Sequence, residues 1–395
     1  MKTYENLCTR LKASVIFKNV LSDRAVSALI KLLESDCGSV SESVSLYSDF
    51  VAALYESGDN LSEYLNGLLQ DDENIYVKAA AADRLTPPLE AACENELGLF
   101  AELAATECKN VKAAVGAQFF LPEWKNSPVD IKALYKKKIS EIKTTGYGIY
   151  AGHKMFLYKN GEIVPVRYSD PQRLSQLSGY ELERQKVIDN TLALIHSKPC
   201  NNVLLYGDAG SGKSSTVKGI VNEYWEMGLR LVEIKKNQLY SLPDVLDKLA
   251  ENPLKFIIFI DDLSFSSSDA DFGALKAILE GGVAGKTSNI AIYATSNRRN
   301  LVRENFSDRN GDDVHLQDTI QEITSLSARF GLKVTFSRPD KDLYLSIVKN
   351  LSIEYNISMD ENELFKSAEA FALRNGGRSP RTAKQFVEYL ASKSE

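Results

Sequence analysis

Hydrophobic residues recur every three or four positions through the first third of this chain. Tyr47, Phe50, Val51 and Leu54 fall at i, i+3, i+4 and i+7, and Val26, Leu29, Ile30 and Leu33 repeat the spacing behind Ser22, a candidate cap. Each set lies along one side of a helical period, so both segments are predicted to be amphipathic helices. Ala79-Ala80-Ala81-Ala82 favours helix, and Pro87-Pro88 is expected to stop it. With no internal repeat in view, residues 1–125 are expected to form an all-α N-terminal domain. Ile131, Leu134, Tyr135, Ile139 and Ile142 predict one more amphipathic helix, with Lys136-Lys137-Lys138 mostly on its wet side.

The period then changes. Met155-Phe156-Leu157-Tyr158 and Ile163-Val164-Pro165-Val166 flank Asn160-Gly161, a favoured two-residue turn, and predict a β-hairpin. Residues 126–173 thus read as a connecting helix and hairpin, with Asp170-Pro171 as a joint. From Leu174 onward, apolar strand candidates at 203–206, 229–234, 256–260, 290–294 and 332–336, most of them continuous apolar runs, alternate with helical stretches. Such runs suit strands covered on both faces, so residues 174–336 are expected to form an α/β layer with a mostly parallel five-stranded sheet. No strand is evident after Ser337, and residues 337–395 read as helical.

Composition narrows the class. The chain has 395 residues, 44% hydrophobic and 25% charged, which suits a globular protein of two or three domains. No run approaches the about 18 apolar residues of a membrane span, and no signal peptide is visible. Cys8, Cys37, Cys93, Cys108 and Cys200 are dispersed, with no C-x-x-C pair. They read as reduced thiols of a cytoplasmic protein. The net charge of −6 is unevenly shared: residues 1–125 hold 11 Lys and Arg against 19 Asp and Glu, and the rest hold 36 against 34. An acidic N-terminal part offers little to a phosphate backbone, so any nucleic-acid contact would fall to the C-terminal part.

One segment carries most of the chemistry. Gly207-Asp208-Ala209-Gly210-Ser211-Gly212-Lys213-Ser214 matches G-x-x-x-x-G-K-[ST], follows an apolar strand and leads through Ser215 into a helical stretch. Its glycines let backbone N–H groups turn inward around phosphate oxygens. Lys213 is expected to reach the β- and γ-phosphates of ATP and the Ser214 hydroxyl to bind Mg²⁺. Another buried strand ends in Asp261-Asp262, 48 residues after Lys213. There Asp261 is placed to hold the metal and Asp262 to orient or deprotonate a water; the plainer alternative is an acidic turn after a core strand. The strand 290–294 closes on Thr295-Ser296-Asn297, where Asn297 either meets the γ-phosphate or its water, or caps the strand end. No N-K-x-D guanine motif is present.

These motifs together resemble an AAA+ ATPase over residues 174–391. Ser178-Gly179-Tyr180-Glu181 resembles the segment that packs near the adenine, which implies nucleotide contacts for Gly179 and Tyr180. Asp261-Asp262 stands where that superfamily has its Walker B pair, and Asn297 where it has sensor 1. Ser327-Ala328-Arg329-Phe330 resembles the arginine-finger box, whose Arg reaches a neighbouring subunit's ATP. Ser379-Pro380-Arg381-Thr382-Ala383 resembles the lid helix carrying sensor 2, with Arg381 preferred and Arg378 the alternative. Asp261-Asp262-Leu263-Ser264-Phe265, Leu279-Glu280-Gly281-Gly282-Val283 and Ala294-Thr295-Ser296-Asn297-Arg298-Arg299 are similar to one bacterial family of AAA+ ATPases of unknown function. Many AAA+ motors place Glu after the metal-binding Asp; Asp262 is one methylene shorter, as in the bacterial replication initiators of the superfamily, so the resemblance leaves both slow turnover and a switch with little turnover open.

The resemblance implies an ATPase acting as a ring or open helical homo-oligomer, with nucleotide between subunits. Three functions compete: remodelling a protein partner held by the acidic domain, a nucleotide-gated switch with little turnover, or a DNA-associated initiator or loader. The last would use Arg298, Arg299 and the Lys136–Lys138 run; the acidic stretch 304–318 reads as a disordered loop or a tether.

Overall fold

A computed structural model describes residues 2–35, 39–264, 270–279, 288–297 and 327–393. Arg298, Arg299, most of the segment around Gly281-Gly282 and the acidic stretch 304–318 lie outside them. The chain divides into two compact units, Met1–Ala151 and Gly152–Glu395.

The first unit is helical, and its core follows the periodicity. Tyr47, Phe50, Val51 and Leu54 are buried along the helix Val40–Tyr55, and Val26, Leu29, Ile30 and Leu33 along Arg24–Glu34. Trp124 stacks edge-on against Phe50, and Phe17 against both Phe100 and Tyr135. The cap of Arg24–Glu34 is Asp23 and not Ser22. The Asp23 carboxylate accepts the Ala25 and Val26 N–H groups at 3.0 Å each, and a charged acceptor suits a helix N-terminus better than a hydroxyl one residue too early. Pro87-Pro88 also plays the opposite of its expected part. The preceding helix ends at Ala81, and the prolines open the helix Pro87–Ala104, where a missing N–H costs nothing. Leu134 is exposed on the helix Ile131–Ser140, and only Ile131 and Tyr135 are buried there. Of the lysine run, Lys136 pairs with Glu94 and Lys138 donates to the Gln70 carbonyl. Glu96, 3% exposed, closes the N-terminal corner by accepting the N–H groups of Val15, Ile16 and Phe17.

The second unit is built on a seven-stranded sheet of order β2-β1-β4-β5-β6-β3-β7. The strands are β1 Met155–Lys159, β2 Glu162–Pro165, β3 Val203–Gly207, β4 Leu229–Glu233, β5 Lys255–Ile260, β6 Ile290–Ser296 and β7 Leu332–Phe336. All five apolar runs are strands, and their pairings are parallel. The hairpin turns at Asn160 (φ 54°) and Gly161 (φ 83°), both left-handed as its tight turn requires. It also joins the sheet: β1 runs parallel to β4, with Met155 opposite Leu231, which widens the expected five strands to seven. β5 and β6 are buried almost throughout because helices cover both faces. Beyond β7, the helices Lys341–Glu354, Glu361–Arg374 and Pro380–Ala391 form a core of their own around Tyr344, Val348, Ala368 and Phe386. Parallel pairing brings the C-terminal ends of β3, β5, β6 and β7 to one edge of the sheet, where ligands of open α/β folds bind.

Candidate functional site

At that edge β3 turns through the glycine loop into the helix Lys213–Tyr224. Gly207 has φ +140° and lies so close to β7 that an added Cβ would sit 2.0 Å from the Phe336 carbonyl oxygen. Gly210 (φ +79°) faces the lid helix Pro380–Ala391, and its carbonyl accepts the Arg381 N–H at 3.2 Å. The loop is therefore clasped by the last strand on one side and the lid on the other.

Lys213 is buried. Its ammonium donates to the carbonyls of Gly207 and Asp208 at 2.8 Å each and to Asn297 Oδ1 at 3.2 Å. Loss of water lowers its pKa, while the carboxylates of Asp208, Asp261 and Asp262 act to raise it. Asn297 donates in turn to Asp262 Oδ1 at 2.9 Å, and Ser214 Oγ donates to Asp261 Oδ1 at 2.6 Å. Lys213, Asn297 and Asp262 thus form one chain of hydrogen bonds, with the Ser214–Asp261 pair beside it. The oxygens of Ser214 and Asp261 are the hard donors Mg²⁺ prefers. Among the described residues no cluster of three or more His, Cys, Asp or Glu gathers around a point.

A cleft of about 600 Å³ opens beside this group, walled by the loop from Ala209 to Ser215 and by Tyr180, Arg381 and Lys384. That volume is of small-molecule size. Gly179 (φ +78°) and Tyr180 (φ +60°) are both left-handed, and the Tyr180 hydroxyl donates to the Ser337 carbonyl. Burial and the Asp208 charge push the Tyr180 hydroxyl up to about 12.

Arg381 lines this cleft, whereas Arg378 is tied to Glu369 by two hydrogen bonds of 2.8 and 2.6 Å within the lid. The Arg378 guanidinium holds the Glu369 carboxyl below its ordinary range. Arg329 is exposed on the turn before β7 and is not among the residues lining its own chain's cleft. Two further site residues had been given no role. Arg184, buried in the cleft wall, donates to the Gly179 carbonyl and to Glu181. Its signal was a charge in line with Val187, Thr191 and Leu194 on the buried side of its helix. Thr295 donates to Asp261 Oδ1 and accepts the Asp262 N–H. Its signal was a hydroxyl closing an apolar strand two positions before Asn297.

A phosphate cradle touched by a helical lid, with acids supplied by a parallel strand that β6 separates from the cradle strand, places this unit in the AAA+ class of ATP-binding proteins. Within that class the chain belongs to the family described as protein of unknown function (DUF815), whose model matches residues 151–394. It is also similar to the replication factor C large subunit of Staphylothermus marinus, 29% identical over 118 residues, 28% of this chain and 27% of the relative. The Holliday junction branch migration complex subunit RuvB of Mycoplasmopsis pulmonis is 26% identical over 204 residues, 51% of this chain and 60% of the relative. The chain thus spans less than two thirds of the length of either. Among solved structures, the Thermotoga maritima RuvB Holliday junction branch migration motor aligns at 16% identity and a TM-score of 0.38, over 55% of this chain and 63% of that one. Among the described residues, no helix is long and apolar enough to cross a membrane.

Proposed function

We propose that this chain hydrolyses ATP at an interface between copies of itself and uses the turnover to remodel a protein partner. The observation that carries this reading is the connected group of Lys213, Asn297 and Asp262 beside the Ser214–Asp261 pair. Phosphoryl transfer to water asks mainly for positioning and charge neutralisation, and each member of that group supplies one of these. The N–H groups of the loop from Gly207 to Ser215 receive phosphate oxygens, and Lys213 neutralises the β- and γ-phosphates. Ser214 and Asp261 would hold Mg²⁺, which when bound neutralises charge on the phosphate oxygens. Asp262 takes the proton of the attacking water, and Asn297 keeps that carboxylate aimed by its hydrogen bond. Gly179 and Tyr180 border the base, and Arg381 faces the phosphates from the lid.

Arg329 is assigned to the cleft of a neighbouring copy, because it is exposed and outside its own. An arginine supplied in trans is worth roughly 10³–10⁵ in rate, so assembly into a ring or open helix would be the switch for turnover. The acid-rich helical domain, residues 1–125, is the module proposed to hold the partner, and the lid, residues 337–395, the part that moves on loss of the γ-phosphate. DNA is the rival partner, since both relatives' names refer to replication or a Holliday junction. The local pairing of Lys136 and Lys138 argues against the lysine run as its contact.

Steady-state phosphate release tests the proposal. Lys213→Ala should abolish it, and Arg329→Ala should lower it by roughly 10³ or more. Mixing the two inactive variants should restore part of the rate, since one keeps an intact cradle and the other the arginine. ATP binding without phosphate release would instead identify a nucleotide-gated switch. A salt-sensitive stimulation by DNA would replace the protein partner, and absence of ATP binding would sink the whole reading.

A further inference from the structure

Thr295 is the penultimate residue of β6, with 2% of its surface exposed. A threonine hydroxyl has one proton to give and two lone pairs to receive with. Here the proton goes to Asp261 Oδ1, and a lone pair takes the Asp262 N–H at 2.9 Å. The Thr295 carbonyl accepts the next N–H, that of Leu263, at 2.7 Å. One residue of β6 therefore holds three consecutive residues at the end of β5.

Both acids depend on this hold for their direction. Asp261 Oδ1 is the oxygen that also accepts the Ser214 hydroxyl, so Thr295 and Ser214, from two different elements, fix one carboxylate oxygen. Asp262 has φ +51°, a left-handed conformation uncommon outside glycine and best tolerated by Asn and Asp. A backbone held there by its own N–H directs the side chain to Asn297 instead of along the strand.

We propose that Thr295 is a positioning residue that sets Asp261 for the metal and Asp262 for the attacking water. The inference rests on the ATP reading above. A purely structural threonine would be felt in thermal stability alone, whereas a positioning one alters how ATP binding and turnover respond to Mg²⁺.

The test compares the full chain with Thr295→Val, which keeps the shape, and Thr295→Ser, which keeps the hydroxyl. ATP affinity is measured with EDTA and across a Mg²⁺ titration, together with phosphate release. Thr295→Val should bind metal-free ATP within about twofold of the parent while its half-saturating Mg²⁺ rises about tenfold or more, the scale of one hydrogen bond to a charged group. Phosphate release should fall further at saturating Mg²⁺, and Thr295→Ser should restore both. Should Thr295→Val not fold, Thr295→Cys, close to it in size with only a weak sulfur donor, carries the same comparison. An unchanged Mg²⁺ response in a folded Val or Cys variant overturns the inference while leaving the ATP reading intact. A Thr295→Ser protein that behaves like Thr295→Val overturns it in the same way. A parent chain that binds no ATP overturns the ATP reading and this inference together.

Discussion

At the scale of single residues, the Lys213 ammonium has exchanged water for two loop carbonyls and an amide oxygen. Burial of that charge lowers its pKa, so the proton leaves at a lower pH than from a free lysine. Two effects of opposite sign follow. Between the lowered folded value and the ordinary one, the unfolded chain holds the proton that the folded chain has lost, so Lys213's contribution to stability rises with pH. ATP affinity should fall over that same window, because the uncharged amine no longer attracts phosphate. Isothermal titration across alkaline pH should show the decline in the parent and a flat profile in Lys213→Ala; parallel declines in both would place its origin elsewhere. Lys213, Ser214 and the two acids were legible because the phosphate loop and the strand-end acids keep fixed spacings to the chemistry. Thr295 and Arg184 were not, since their partners lie 33 and 5 residues away and only the folded backbone shows which oxygen each one meets. Arg381 was preferred to Arg378 on sequence, with Arg378 left as the alternative; the Glu369 pair that ties Arg378 within the lid shows only in the folded chain.

Elements were easier to read than the joints between them. All five predicted strands lay where apolar stretches placed them, and β5 and β6 read most clearly because covered parallel strands have no polar face to interrupt the run, whereas the edge strand β7 alternates. What that pattern lacks is pairing: nothing in Met155 to Lys159 says that its neighbour is β4, and the sheet grew by two strands for that reason. The prolines at 87 and 88 were misjudged because proline both ends and begins helices, and the sequence alone does not say which. The phosphate loop offers a contrast at this scale. Gly207 and Gly212 both have positive φ, yet an added Cβ meets the Phe336 carbonyl at 2.0 Å in the first and nothing within 4 Å in the second. Gly212→Ala should thus cost about 1–2 kcal/mol of backbone strain. Gly207→Ala should cost clearly more, since it also separates β3 from β7. Chemical denaturation of the two variants checks the order, and equal losses would mean that β7 gives way freely.

For the whole molecule, the Met1–Ala151 and Gly152–Glu395 division has a consequence for where the chain can be cut. Residues 152–395 keep the hairpin and should fold alone and bind ATP. A version beginning at 174 strips β1 from β4 and leaves the main-chain groups of Leu231 to Glu233 as an open strand edge, a template for association. Light scattering should find the shorter piece aggregated and the longer one dispersed; two equally dispersed proteins would deny the hairpin that part. Finally, the bond between the Arg381 N–H and the Gly210 carbonyl joins peptide to peptide. No exchange of the side chain at 381 cuts it unless that exchange installs proline. The charge that the lid presents can therefore be rewritten while its mechanical tether to the cradle endures, so grip and linkage are separately adjustable in one short stretch of helix.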